Sequence, residues 1–326
     1  MYESFFKLAR RPFQLSPDPE FFFGSSGHKR VLAYLRYGLQ QGEGFIVVTG
    51  EVGSGKTTLV KSLLHELEGQ QDLVAVDLVS TQLEADDLLI MVANAFDIPH
   101  ENTGKGALLK CLQRHMQEQA EQGKRMLLIV DEAQNLGYAA LEELRMLSNF
   151  QMGNRPLFQS FLLGQRQFRD ILRKPELEQL RQRVIASYHL GPMDLQETGA
   201  YIEHRLKVAG WKGDPSLTEE AYELIYDHSG GIPRQINLLC DRLLLTAYLE
   251  ETHTIDRKLV SQTLLELQEE VHTRDATAEG PAMPSPATES QGTTHRAQGT
   301  LEERVERIEA ILYHAQQLLQ RLSSMK

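Results

Sequence analysis

The eight residues Gly50-Glu51-Val52-Gly53-Ser54-Gly55-Lys56-Thr57 fit the pattern G-x-x-x-x-G-K-[ST]. An apolar run, Phe45–Thr49, comes before them, and a helical pattern, Thr57–Glu68, comes after. Strand, glycine-rich turn and helix in that order form a cradle for phosphates. The glycines let the backbone wrap so that successive N–H groups converge on an anion, and the helix N-terminus adds partial positive charge. Gly50, Glu51, Val52, Gly53, Ser54, Gly55, Lys56, Thr57 and Thr58 are therefore the expected nucleotide-binding residues. Lys56 is suited to the β- and γ-phosphates and the Thr57 hydroxyl to Mg2+.

Further strand signals fall at Leu73–Leu78, Met126–Val130, Phe158–Leu163 and Val184–Tyr188. Helical patterns separate them at Ala85–Phe96, Lys105–Gln122, Tyr138–Asn149 and Gln165–Leu172. Alternation of this kind predicts parallel βα units and an α/β sheet. Ahead of them stand a leader rich in proline and aromatic residues and a helical stretch, His28–Gln41. After Pro192 the strand signals stop, and helical patterns over roughly 194–209, 218–228, 233–250 and 256–271 predict an all-helical domain. The expected division is 1–192 for the P-loop core with its leader, 193–272 for a helical lid, 273–299 for a linker and 300–326 for a terminal helix. The linker is rich in Pro, Ser, Thr, Gly and Ala and has too little apolar surface to offset the entropy of ordering. Beyond it, Leu301, Val305, Ile308, Leu312, Ala315, Leu319 and Leu322 form a heptad stripe, with Glu302, Glu303, Glu306, Arg307 and Glu309 on other faces. Self-association or docking on a partner is the expected use of that stripe.

The strand Leu127–Val130 ends in Asp131-Glu132. The C-terminal ends of parallel strands form the ligand edge of such a sheet. Asp131 is expected to hold Mg2+ through water, and Glu132 to orient and deprotonate the attacking water. Where Phe158–Leu163 ends, Gln165 is the candidate to sense the γ-phosphate, with Gln159 and Ser160 as rivals. Arg183 is favoured over Arg181 as the residue that reaches into a neighbouring subunit's nucleotide. In Gly230-Gly231-Ile232-Pro233-Arg234, Pro233 suits a first helical turn, which would aim Arg234 at bound phosphate.

Composition limits the alternatives. Of 326 residues, 41% are hydrophobic and 24% charged, which excludes wholesale disorder, collagen and a disulfide scaffold. The net charge of −11 argues against generic nucleic-acid binding, although a local basic patch can still exist. Two cysteines in unrelated contexts fit a reducing compartment. No secretory signal and no apolar run of transmembrane length is found. A cytoplasmic location is expected, with a place at the inner membrane open through a partner. The histidines show no metal-type spacing.

In combination these motifs resemble an AAA+ ATPase. More narrowly, the chain resembles the general secretion pathway protein A family. The matching residues are Met1-Tyr2-Glu3-Ser4-Phe5-Phe6, Arg11-Pro12-Phe13, Pro17-Asp18-Pro19, Gly44-Phe45, Asp131-Glu132-Ala133-Gln134-Asn135-Leu136, Leu163-Gly164-Gln165, Gln182-Arg183, Tyr201-Ile202, His204-Arg205-Leu206 and Ala209-Gly210. Relatives include ATPases of exopolysaccharide, exosortase and pilus-biogenesis loci. The resemblance implies a parallel five-stranded sheet with a helical lid. It also implies ATP as ligand, and hydrolysis in the service of secretion or envelope assembly by a homo-oligomer. Some members continue into a membrane span and a peptidoglycan-binding domain. This sequence runs into the linker and heptad stripe instead, which shifts the expectation toward polysaccharide-export ATPases. Two rival readings stand beside an oligomeric motor or switch. One is a nucleic-acid-linked ATPase resembling transposition regulators, and the other is a nucleotide-dependent scaffold with slow turnover.

Overall fold

The computed structural model describes residues 1–67, 72–79, 84–100 and 104–278, with side chains through residue 269. The heptad stripe lies outside the described residues. The chain divides into a compact unit, Met1–Thr273, and a second, Arg274–Lys326. The first unit holds the sheet and the helical cluster.

Five parallel strands make the central sheet: β1 (Phe45–Gly50), β2 (Leu73–Val79), β3 (Arg125–Asp131), β6 (Phe158–Gly164) and β7 (Val184–Leu190). Their order is β2-β3-β6-β1-β7, so β1 is flanked by β6 and β7. Between β3 and β6 a small hairpin, β4 (Gln151–Met152) with β5 (Arg155–Pro156), had no strand signal in the sequence. Two residues a side are too few to show alternation.

Side-chain alternation along the strands separates two cores. Phe45, Val47, Leu128, Val130 and Leu162 face one side, where α4 (Ala85–Ala95), α5 (Lys105–Glu121) and α6 (Tyr138–Leu147) pack. Ile46, Val48, Leu127, Ile129, Phe161 and Leu163 face the other, under α2 (Ser26–Gln41) and α3 (Lys56–Leu67). Two short helices, α7 (Gln167–Leu172) and α8 (Glu178–Arg181), lead from β6 to β7. All six residues of β1 are buried, as a central strand covered on both faces must be. The Ser25 hydroxyl caps α2 by accepting from the His28 N–H, and Gly42 closes it at φ +70°.

A third core is helical. It joins α9 (Leu195–Val208), α10 (Glu219–Ser229), α11 (Pro233–Leu249) and α12 (Arg257–Ala278) through Ile202, Leu206, Ile225, Ile236, Leu243 and Val260. Three features differ from the sequence expectation. The leader, grouped with the sheet there, belongs to this helical cluster: Tyr2 of α1 (Tyr2–Phe5), Phe6, Phe13 and Phe21 are buried in it. Its aromatic residues have no strand or helix period, so nothing in the sequence assigns them to a layer. A short parallel pair, β8 (Ser216–Leu217) with β9 (Thr254–Ile255), joins the helices where no strand was expected. Finally, α12 runs to Ala278, into the segment read as linker. Extending an existing helix fixes one residue per new hydrogen bond and avoids the nucleation cost, so composition alone misplaces such ends.

Candidate nucleotide site

The P-loop lies between the end of β1 and the start of α3, and its conformation depends on its glycines. Gly53 sits at φ +80° and Gly55 at φ +93°, backbone that residues with a Cβ rarely adopt. Both are also closely approached: a Cβ on Gly55 would lie 2.9 Å from His28 Nε2, and one on Gly53 would lie 2.3 Å from Arg234 Cβ.

His28 was not expected here. Its Nδ1 lies 2.7 Å from Ser25 Oγ and its Nε2 3.2 Å from the Ser54 carbonyl oxygen. A carbonyl accepts only, so Nε2 carries the proton and Nδ1 accepts from Ser25. Burial holds the imidazole below its usual pKa, with the Ser54 contact opposing. Its signal in the sequence was only a histidine three residues after an N-cap serine.

Lys56 is buried, and its ammonium donates to the carbonyl oxygens of Gly50 and Glu51, both at 3.0 Å. Burial lowers its pKa, while the charges of Glu132, Asp131 and Glu51 oppose the shift. The Thr57 hydroxyl donates to Asp131 Oδ2. The other Asp131 oxygen accepts from the Glu132 N–H at 2.8 Å. Glu132 itself has φ +54°, a costly conformation for a residue with a side chain. Its Oε2 accepts from Gln134 Nε2 and, at 3.0 Å, from Gln165 Nε2. Gln134 Oε1 accepts from the Gln165 N–H at 2.9 Å. Gln134, quoted only within the family match, thus stands beside the expected acid.

Topology brings these groups together. Because β6 lies between β1 and β3, the residue following β6 emerges between the P-loop and the Asp-Glu pair. Gln165 is that residue. Its rivals are elsewhere: Gln159 Nε2 donates to the Gly38 and Glu43 carbonyls near the start of β6, and Ser160 is fully buried within the strand.

The helical cluster covers the same site. The Arg234 N–H donates to the Gly53 carbonyl at 3.1 Å, and the Met193 N–H to the Gly231 carbonyl at 3.0 Å. The cleft so formed is lined by Gly53, Gly55, Lys56, Thr57, Thr58 and Glu132 on one side. Residues 14–18, Phe21–Phe23, Tyr201, Arg205, Pro233, Arg234 and Asn237 line the other. Glu51 flanks the loop and Val52 stands exposed on it.

The donor set suits a magnesium triphosphate. Positive-φ glycines shape a cradle that a Cβ would fill. Ser54 Oγ is buried without a partner. Thr57 and Asp131 offer one hydroxyl and one carboxylate, the sparse oxygen set typical of Mg2+ bound mainly through phosphates and water. No group of three or more His, Cys, Asp or Glu suited to a metal occurs among the described residues.

Arg183 is not part of this cleft. Its guanidinium donates to Ser148 O and Oγ, both at 3.2 Å, and to Asn149 Oδ1. It stands just before β7, at the N-terminal ends of the parallel strands, whereas the P-loop follows the C-terminal end of β1. Arg181 donates to the Leu172 and Lys174 carbonyls at 2.7 and 3.2 Å.

A family model for the AAA domain matches residues 39–172. General secretion pathway protein A of Aeromonas hydrophila is 40% identical over 256 residues. The chain carries an AAA domain over those residues and is similar to that protein. The match covers 78% of this chain and 46% of the relative, so the chain spans about half of the relative's length. Among solved structures, ORC2 of Aeropyrum pernix in its ADPNP and ADP complexes gives a TM-score of 0.60 at 17% identity. That superposition covers 79% of this chain and 71% of ORC2. Cdc6p from Pyrobaculum aerophilum gives 0.63 at 16% identity, over 78% and 70% of the two chains. These two likenesses are of fold. No helix among the described residues is long and apolar enough to cross a membrane.

Proposed function

We propose that this AAA protein binds MgATP in the cleft and hydrolyses it as an oligomeric switch that drives assembly of an envelope secretion, polysaccharide-export or pilus system. One observation carries the reading. Thr57 at the start of α3, Asp131 and Glu132 at the end of β3 and Gln165 just past β6 form one hydrogen-bonded group, and Thr57 and Glu132 line the cleft with Arg234.

The P-loop amides and Lys56 bind the phosphates, and Thr57 with Asp131 holds the metal. When bound, magnesium neutralises phosphate charge. Glu132 accepts the proton of the attacking water. Gln134 and Gln165 fix the Glu132 carboxylate, which is pre-positioning that costs nothing at the moment of reaction. Arg234 transmits nucleotide state to the helical domain, and Arg183 of a neighbouring subunit completes the site, so turnover depends on assembly. The secretion role rests on the likeness to general secretion pathway protein A.

The test is a pair of variants. Lys56→Ala should lose MgATP binding, while Glu132→Gln should bind as wild type and lose turnover by about 10²–10⁴-fold. Equal ATPase rates in wild type and Glu132→Gln would remove the base assignment.

A further inference from the structure

Arg205 on α9 is 7% exposed, yet it pairs with no carboxylate among the described residues. Its Nε donates to the Pro12 carbonyl at 2.5 Å, Nη2 to the Gln14 carbonyl at 3.2 Å, and Nη1 to the Tyr201 hydroxyl at 3.0 Å. The guanidinium plane also lies over the Phe21 ring, 4.7 Å from its centroid. Tyr201 in turn donates to Asn237 Oδ1 on α11 at 2.8 Å. A cation removed from water without an opposing charge is costly unless its donors are satisfied. Only a planar fork can serve two main-chain carbonyls and a stacked ring together.

Those carbonyls flank a working part of the molecule. Residues 14–18 line the cleft opposite the P-loop. With the phosphates held at Gly53–Thr58, the remaining length of the cleft is left for the base and ribose. Residues 12–18 carry no strand or helix of their own, and Arg205 fixes their main chain to the lid beside the burial of Phe13 and Phe21 in the same cluster.

We propose that Arg205 is a positioning residue that fixes the base-side wall through Pro12 and Gln14. In that role it sets affinity for the nucleoside part of the ligand and leaves the phosphate grip untouched. The proposal rests on the reading of the cleft as a nucleotide site. Because the fork comes from α9, occupancy at the base is felt directly by the helical domain.

The full chain is titrated by calorimetry with magnesium ATP and, separately, with magnesium tripolyphosphate, as wild type, Arg205→Met and Arg205→Lys. In Arg205→Met the Pro12 and Gln14 carbonyls and the Tyr201 hydroxyl all lose their donor, and the loosened wall lowers ATP affinity by about ten- to a hundredfold. Tripolyphosphate affinity should stay within about twofold. Arg205→Lys, which keeps the charge without the fork, should fall between. Amide exchange should quicken at residues 13–16 and 18 in Arg205→Met and stay unchanged at residues 50–57. Equal losses for the two ligands, or an unchanged ATP affinity, would overturn the proposal. If Arg205→Met does not fold, as judged by circular dichroism and melting, Arg205→Lys alone decides between the same outcomes. A wild type that binds neither ligand would remove the nucleotide reading itself, and this one with it.

Discussion

Gly53→Ala probes the contact through which the helical domain meets the P-loop. Gly53 lies at φ +80°, and holding an L-residue in left-handed backbone costs about 1–2 kcal/mol. The added Cβ would stand 2.3 Å from Arg234 Cβ, 3.0 Å from its Cδ and 3.2 Å from its Cγ. Rotamer changes relieve the latter two contacts. They cannot relieve the first, because Cβ is fixed by the backbone. The start of α11 must therefore move, breaking the 3.1 Å bond from the Arg234 N–H to the Gly53 carbonyl, worth about 1 kcal/mol. The total is about 2–3 kcal/mol, or a factor of roughly 30–150. Gly123 supplies the control: it sits at φ +81° with nothing within 4 Å of a built Cβ. Gly123→Ala should therefore lose only the backbone contribution. Urea unfolding with MgATP titration of both variants separates the two parts. Gly53→Ala should be the less stable and bind MgATP at least tenfold more weakly, while Gly123→Ala binds as wild type. Equal stability losses together with wild-type nucleotide affinity in Gly53→Ala would refute a lid seated on the P-loop.

Three further outcomes are expected. Arg183→Ala should lower the ATPase rate by about 10³-fold and remove its rise with protein concentration, while Arg181→Ala keeps both; a concentration-dependent rate in Arg183→Ala would assign the trans role elsewhere. Gln134→Ala should reduce kcat about tenfold with MgATP affinity unchanged, since Glu132 loses one of its two donors; a wild-type kcat would show that Gln165 suffices. Burial lowers the pKa of His28, so between that value and the unfolded value near 6.5 the unfolded chain binds more protons. Stability from neutral His28 is full above about pH 6.5 and is lost as pH falls. His28→Gln should flatten urea midpoints against pH in that range. A residual slope is expected from His189 and His204, whose pKa values burial also lowers.

How much of the molecule was legible in the sequence varied with the range of the interaction. The sheet strands were marked by apolar runs, most plainly β1, β3 and β6, which are covered on both faces and have no need of polar alternation. The P-loop and Asp131-Glu132 were legible for a similar reason: their chemistry is carried by residues adjacent in the chain. His28, Gln134 and the burial of the leader were not, since each matters through partners distant in sequence or through a turn that composition does not mark.

The sequence by itself determined the α/β layering and the glycine-rich turn between β1 and α3, through periodicity and glycine placement, which are local properties of the backbone. Tertiary structure alone decided that Gln165 rather than Gln159 or Ser160 stands beside Glu132, because only the strand order sets which loop emerges between β1 and β3. It also decided that the leader joins the helices, because Arg205 finds its acceptors at Pro12 and Gln14, more than half the chain away. Contacts at that separation depend on where folded surfaces meet, and no local pattern of residues encodes them.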